Sequence, residues 1–254
     1  MDLIFLLIFA FFAGFIDSMA GGGGLIQLPA LFIFQPHLTL AQTLATNKLS
    51  SVCGTSIATR QYLKHIKINW SLMRVGVFMA FVGSFFGAMV ASRFHKDTFT
   101  PIIIVALLLV FVYTILNKQS GLKPTKPLPE KKALWLIAFL STVIGFYDGM
   151  IGPGTGSFLI FLFVVVFGLD FLHASANSKI INMTTNIAAL VFFLPSGFVV
   201  WKVAIPLAAA NVAGSIVGSR LALKKGSAFV RVIFIIVVSA LILKLCWDYF
   251  SPAG

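Results

Sequence analysis

Long, nearly charge-free apolar runs alternate with short basic stretches along this chain, and no segment carries the two-residue alternation of a membrane β-strand. The runs are Leu3–Phe15, Leu38–Ala58, Leu72–Val90, Ile102–Leu116, Ala133–Ile144, Ile180–Leu194, Val203–Val217 and Val230–Leu245. A hydrocarbon core about 30 Å thick needs about 20 apolar residues per helix. Most runs reach that length once polar-tolerant flanks are added. The pattern predicts an all-α polytopic membrane protein with about 8 full spans.

The pattern also repeats. Phe11–Gly24 reads FFAGFIDSMAGGGG and Thr142–Thr155 reads TVIGFYDGMIGPGT, with Asp17 and Asp148 separated by 131 residues. The same separation pairs Gly14 with Gly145, Met19 with Met150, Gly21 with Gly152 and Gly23 with Gly154. It runs on without a gap through Ala45/Ala176, Lys48/Lys179, Trp70/Trp201, Gly83/Gly214 and Gly87/Gly218. Such a register points to duplication. It divides the chain into a first membrane repeat (1–117), a cytoplasmic linker (118–132) and a second membrane repeat (133–250). The Pro- and Lys-rich linker reads as an extended aqueous loop.

Each copy carries five parts: a helix to the glycine cluster, a break, a short segment, and further helices, in the first copy near 38–62, 69–92 and 99–117. The short segments, Leu25–Phe34 and Gly156–Phe167, fall below a full span and read as half-helices or re-entrant pieces. Four spans per copy would make the copies parallel and five crossings would invert them. The basic residues favour inversion, because Arg60–Lys67, Lys118–Lys132 and Arg220–Lys225 then share the cytoplasmic side, leaving mainly Arg93, Lys96 and Lys202 outside.

Composition narrows the class. The chain is 59% hydrophobic and 10% charged, with a mean hydropathy of +1.02, against about 25% charged in soluble domains. The net charge of +12 sits between apolar runs and not on a soluble basic module, so nucleic acid is not an expected partner. Cys53 and Cys246 lie in apolar runs and read as inert thiols. The start, Met1-Asp2-Leu3, lacks the basic region of a cleaved signal peptide, so the first run reads as a permanent span. No nucleophile–His–acid set, phosphate-binding loop or metal-ligand spacing stands out: His37, His65, His95 and His173 lie scattered near segment ends. An enzyme, a resident metal and a cofactor are therefore not expected.

Three features carry candidate chemistry. Gly21, Gly22, Gly23 and Gly24, and Gly152-Pro153-Gly154-Thr155-Gly156, each interrupt a helix, since Gly costs about 1 and Pro about 3 kcal/mol relative to Ala. Broken helices at corresponding positions mark substrate sites in transporters, and the free N–H groups after each break favour anions. Close helix packing is the bland alternative, and the preferred one for Gly83/Gly87 and Gly214/Gly218. Asp17 and Asp148, a turn from the breaks, are placed to carry a coupling proton, cap exposed N–H groups or pair with a lysine. Lys48 and Lys179 either snorkel to the interface or flank one central anion. Asn47, Asn177, Ser178, Asn182, Thr184, Thr185 and Asn186 supply neutral donors or helix–helix glue.

GFIDSMAGGGG with ATNK, and GFYDGMIGPGTGSFL with SANSK and the following N-x3-N, resemble the TauE/SafE sulfite-exporter family over essentially the whole chain. The resemblance implies a multi-pass carrier of the bacterial cytoplasmic membrane for small sulfur oxyanions or organosulfonates, coupled to an ion gradient. It implies substrate near Gly21–Gly24, Asn47 and Lys48, and near Gly152–Thr155, Ser178 and Lys179. The halves differ in Gly22 against Pro153 and Asn47 against Ser178, so two unequal half-sites are expected. The expected partners are a small anionic substrate, the bilayer and a second copy of the chain. The rival readings are a small-anion channel and a membrane-embedded assembly factor.

Overall fold

The computed structural model describes residues 2–91, 112, 116, 121–125 and 128–250. The described chain is all-helical: α1 (Asp2–Ala20), α2 (Gly24–Phe34), α3 (Leu40–Leu63), α4 (Trp70–Ala91), α5 (Glu130–Met150), α6 (Thr155–Val165), α7 (Phe171–Phe193) and α8 (Trp201–Phe250). The helix expected near 99–117 lies almost wholly outside the described residues. Helix α3 starts at a capping box in which Thr39 and Gln42 satisfy each other's backbone N–H groups. Helix α8 is two helices joined at Gly226, whose φ of 76° no helix interior tolerates.

Three helices, α1 from Leu3, α4 and α5, are long and apolar enough by length and composition to cross a membrane. Large apolar side chains point outward along them, such as Phe12, Phe78 and Phe139, each at least half exposed. A water-soluble protein does not display such a belt. Lipid is its matching solvent.

Helix α2 does not continue outward from α1. The Phe34 ring at its end stacks on Phe5 near the start of α1, at 5.7 Å and 8°. Leu6 and Ala10 of α1 bury against Ala30 and Leu31 of α2. The pair is a re-entrant hairpin, one of the two forms read for the short segment, so any inversion of the copies does not come from a fifth crossing. The tip reverses because Gly21 and Gly22 take φ of 75° and 92°, which only glycine adopts cheaply. Helices α5 and α6 make a second hairpin, with Ala133, Leu134, Phe163 and Phe167 together around its mouth.

The two hairpins enter from opposite ends. Gly14 abuts Asn211, and Gly218 abuts Phe15 and Ser18, so α1 runs parallel to α8. Gly76 abuts Ile137 and Ser141, and Gly87 abuts Phe146 and Met150, so α4 runs parallel to α5. At Gly83, Gly87, Gly214 and Gly218 a Cβ would strike the neighbouring helix backbone, so both GxxxG pairs are packing devices. The hydroxyl of Thr46, early in α3, accepts from Val200 N beside the start of α8, and α3, about 36 Å long for its 24 residues, ends six residues before α4. One hairpin therefore opens at the Phe5 end of the bundle and the other at the Trp70 end.

The linker reading also changes. Gly121 O accepts from Phe171 N at 2.7 Å and Thr125 N donates to Gly168 O at 2.8 Å, which ties this stretch to the α6–α7 connection. Helix α5 already begins at Glu130, inside the stretch read as linker. The tethered part is held in place, because the neighbouring connection satisfies Gly121 O and Thr125 N.

Candidate functional site

The hairpin tips meet. Gly21 lies against Gly156 and Ser157 so closely that a Cβ on either glycine would strike the opposing backbone. The carbonyls freed at the end of α1 are taken up by side chains from three other helices: Ser18 O by Tyr62 Oη (2.9 Å), Met19 O by Ser175 Oγ (2.8 Å) and Ala20 O by Ser157 Oγ (3.1 Å). A helix end inside an apolar bundle needs such partners. At the second tip Tyr147 Oη donates to Pro153 O and Thr155 Oγ1 to Gly152 O (2.8 Å).

Around these tips stand two ion pairs, each joining one half of the sequence to the other. Lys48 Nζ donates to Asp148 Oδ2 at 2.5 Å and Lys179 Nζ to Asp17 Oδ2 at 2.9 Å. The lysines are 2% and 0% exposed, so neither snorkels. Asp17 Oδ1 also accepts from Gly23 N at 3.3 Å, so it caps the break and pairs with a lysine at once. Two buried cations against two carboxylates leave the site electrically balanced, the condition under which buried charge is tolerable.

Between the tips lies a small cavity of about 20 Å³, room for about one water. Of the predicted site residues, Gly22, Gly23, Gly24, Asn47, Lys48, Gly152, Thr155, Asn182 and Asn186 line it, together with Asp17 and Asp148. Five do not. Gly21 is packed into the tip contact, Gly154 caps α6 with φ of 82°, and Lys179 stands behind Asp17. Ser178 Oγ is given to Gly156 O at 3.3 Å. Asn177 donates to His173 O at 2.8 Å and faces a different cavity. Ser51 lines the site without having been singled out for it, and Gly156, read as part of the break but not as a binding residue, lines it too. Ser51 was findable, one turn beyond Lys48 on the same helix face. Asn47 Oδ1 is buried with no partner among the described residues, and Asn186 Nδ2 holds Asn182 at 2.8 and 3.3 Å.

Paired helix breaks enclosing buried ion pairs in an apolar helical bundle are the build of a membrane transporter. Residues 6–245 match the family described as Sulfite exporter TauE/SafE, and the chain belongs to that family. It is 36% identical over 254 positions to "Probable membrane transporter protein ORF9" of Sinorhizobium sp, covering 98% of this chain and 94% of that one. It is 34% identical over 239 positions to "Probable membrane transporter protein YfcA" of Escherichia coli strain K12, covering 94% and 87%. "Probable membrane transporter protein YunE" of Bacillus subtilis strain 168 is more distant, at 22% over 228 positions. No solved structure matches the chain. The resemblance read from the glycine and lysine motifs holds.

Proposed function

We propose that this protein is a secondary transporter moving small sulfur-containing anions, such as sulfite, sulfonates or related oxyanions, across the bacterial cytoplasmic membrane. The observation that carries the reading is the Lys48–Asp148 pair in the wall of the small cavity between the glycine breaks. With both pairs intact the site is neutral. An anion arriving alone would add an uncompensated buried charge. An anion arriving with one proton on Asp148 keeps the balance, and the protonated carboxyl releases Lys48 to the anion. Coupling then follows from electrostatics. Backbone N–H groups come from Gly22 and Gly24 at one tip and Gly154 at the other, and Asn47 and Asn182 supply side-chain donors.

Alternating access fits the same layout. In this reading the halves are inverted copies, each contributing one hairpin that opens to one side and an odd number of crossings beside it. The cavity is too small for a polyatomic anion in the closed state, so loading requires the tips to part. The moving units are α1–α2 with α8 and α5–α6 with α4, each held together by its glycine contacts. The Trp70 end carries Arg60, Lys64, Lys67, Lys131 and Lys132 and faces the cytoplasm in this reading. Proteoliposomes loaded with sulfite or sulfonates, with and without a pH gradient, provide the test. Saturable flux that accumulates anion uphill when the gradient is imposed is expected, whereas a channel would only equilibrate it. Absence of saturable flux for every anion would sink the proposal.

A further inference from the structure

A second cleft, of about 700 Å³, opens at the Trp70 end between the last turns of α3 and the part of α8 before Gly226. It shares no lining residue with the central cavity. Arg60 and Lys64 face it from α3, and Arg220 and Lys224 from α8, with His65 and Gln61 beside them. No acidic residue lines it. The arrangement is electrostatically odd. Arg60/Lys64 and Arg220/Lys224 are like charges four apart on a helix, which repel, and the two pairs are turned toward each other. Helix C-termini attract cations, which explains either pair alone but not both facing one concavity. Gln61 is also held: Ser219 Oγ donates to its Oε1 at 2.9 Å, which leaves its amide N–H groups as free donors.

We infer that this cleft is a binding site for a phosphate-bearing anion, seated where two guanidinium groups and two ammonium groups converge. Guanidinium forks suit phosphate oxygens bidentately, and lysines add point charge. The position at one end of an apolar bundle places it level with lipid headgroups, so an anionic phospholipid and a soluble phosphate are the two sources of the same chemistry. The inference does not rest on what the central site carries.

The test uses the full chain in detergent. One arm counts bound cardiolipin against phosphatidylcholine by native mass spectrometry, and the other titrates inorganic pyrophosphate calorimetrically. The variants are Arg60→Gln/Arg220→Gln and a control, Lys131→Gln/Lys132→Gln, which removes the same charge from exposed positions outside the cleft. The cleft variant is expected to weaken one or both probes by about 25-fold, at roughly fivefold per cation, and the control by less than about twofold. Loss of cardiolipin alone identifies a headgroup site, and loss of pyrophosphate identifies a soluble one. Equal weakening in both variants would reduce the effect to diffuse surface charge, and failure of both probes to bind would also overturn the inference. If the double variant fails to fold, Lys64→Gln and Lys224→Gln make the same measurement singly.

Discussion

The two ion pairs at the hairpin tips are related by the 131-residue separation in sequence, yet they occupy different surroundings. Lys48 and Asp148 both line the cavity, whereas Lys179 sits behind Asp17 and out of it. Asn47, next to Lys48, presents an unpartnered buried oxygen at the cavity wall, while its counterpart Ser178 is spent on Gly156 O. Asp17 is committed to Gly23 N, a bond that steadies its own break. The two matched pairs therefore differ in what surrounds them. In the proposed mechanism Lys48–Asp148 is the working pair and Lys179–Asp17 is the frame.

The strongest way to break this contrast is to strand one partner. Lys48→Met and Lys179→Met each leave a buried carboxylate unpaired, at a cost of about 3–5 kcal/mol, visible as a large fall in melting temperature in detergent. Replacing whole pairs by apolar residues should restore most of that stability. Flux then separates the pairs: Lys48→Met/Asp148→Leu is expected to be inactive and Lys179→Met/Asp17→Leu to retain saturable flux. Equal inactivity of both would erase the distinction.

A smaller effect distinguishes tip from wall. Gly21→Ala puts a Cβ into the Gly156 backbone at a φ of 75° and is expected to cost about 2–3 kcal/mol. At Gly24 the nearest atoms to an added Cβ are 3.8 Å or more away, so Gly24→Ala should change stability by less than about 0.5 kcal/mol. It narrows the cavity wall all the same, so its signature is a raised KM in the flux assay with an unchanged melting temperature.

A further effect lies away from the tips, in the connection before α7. Burial raises the Asp170 carboxyl, but hydrogen bonds from Ser227 Oγ and His173 N, with the His173 ring alongside, outweigh it and hold the group below its ordinary value. A depressed folded-state pKa gives stability that is full above the unfolded value and is lost as pH falls through the folded one. Asp170→Asn, which weakens the α7 cap, should therefore lower stability by about 1 kcal/mol at neutral pH. The gap should close below about pH 4. Thermal unfolding of both proteins across that range checks it.

Much of this was legible in the sequence because it depends on residue type and spacing. The helical membrane character followed from the apolar runs, and the tips from the glycine clusters read as helix breaks. Eleven of the residues marked for the site do line the cavity. Two things were not legible. The choice of a re-entrant hairpin over a half-helix depends on Phe34 meeting Phe5 and on positive φ at Gly21 and Gly22, and glycine permits those angles without requiring them. The crossed pairing of Lys48 with Asp148 and Lys179 with Asp17 joins residues 100 and 162 positions apart, and no local pattern encodes such a contact.

The central claim is that the proton on Asp148 admits the anion beside Lys48. Asp148→Asn mimics the protonated carboxyl permanently, so it separates binding from coupling. In proteoliposomes, wild-type protein should accumulate sulfite or a sulfonate against its gradient in the alkaline compartment, the one toward which the accompanying proton runs. Asp148→Asn should exchange the anion across the bilayer yet gain nothing from the pH difference. Uphill, gradient-driven accumulation by Asp148→Asn at the wild-type level would contradict the account.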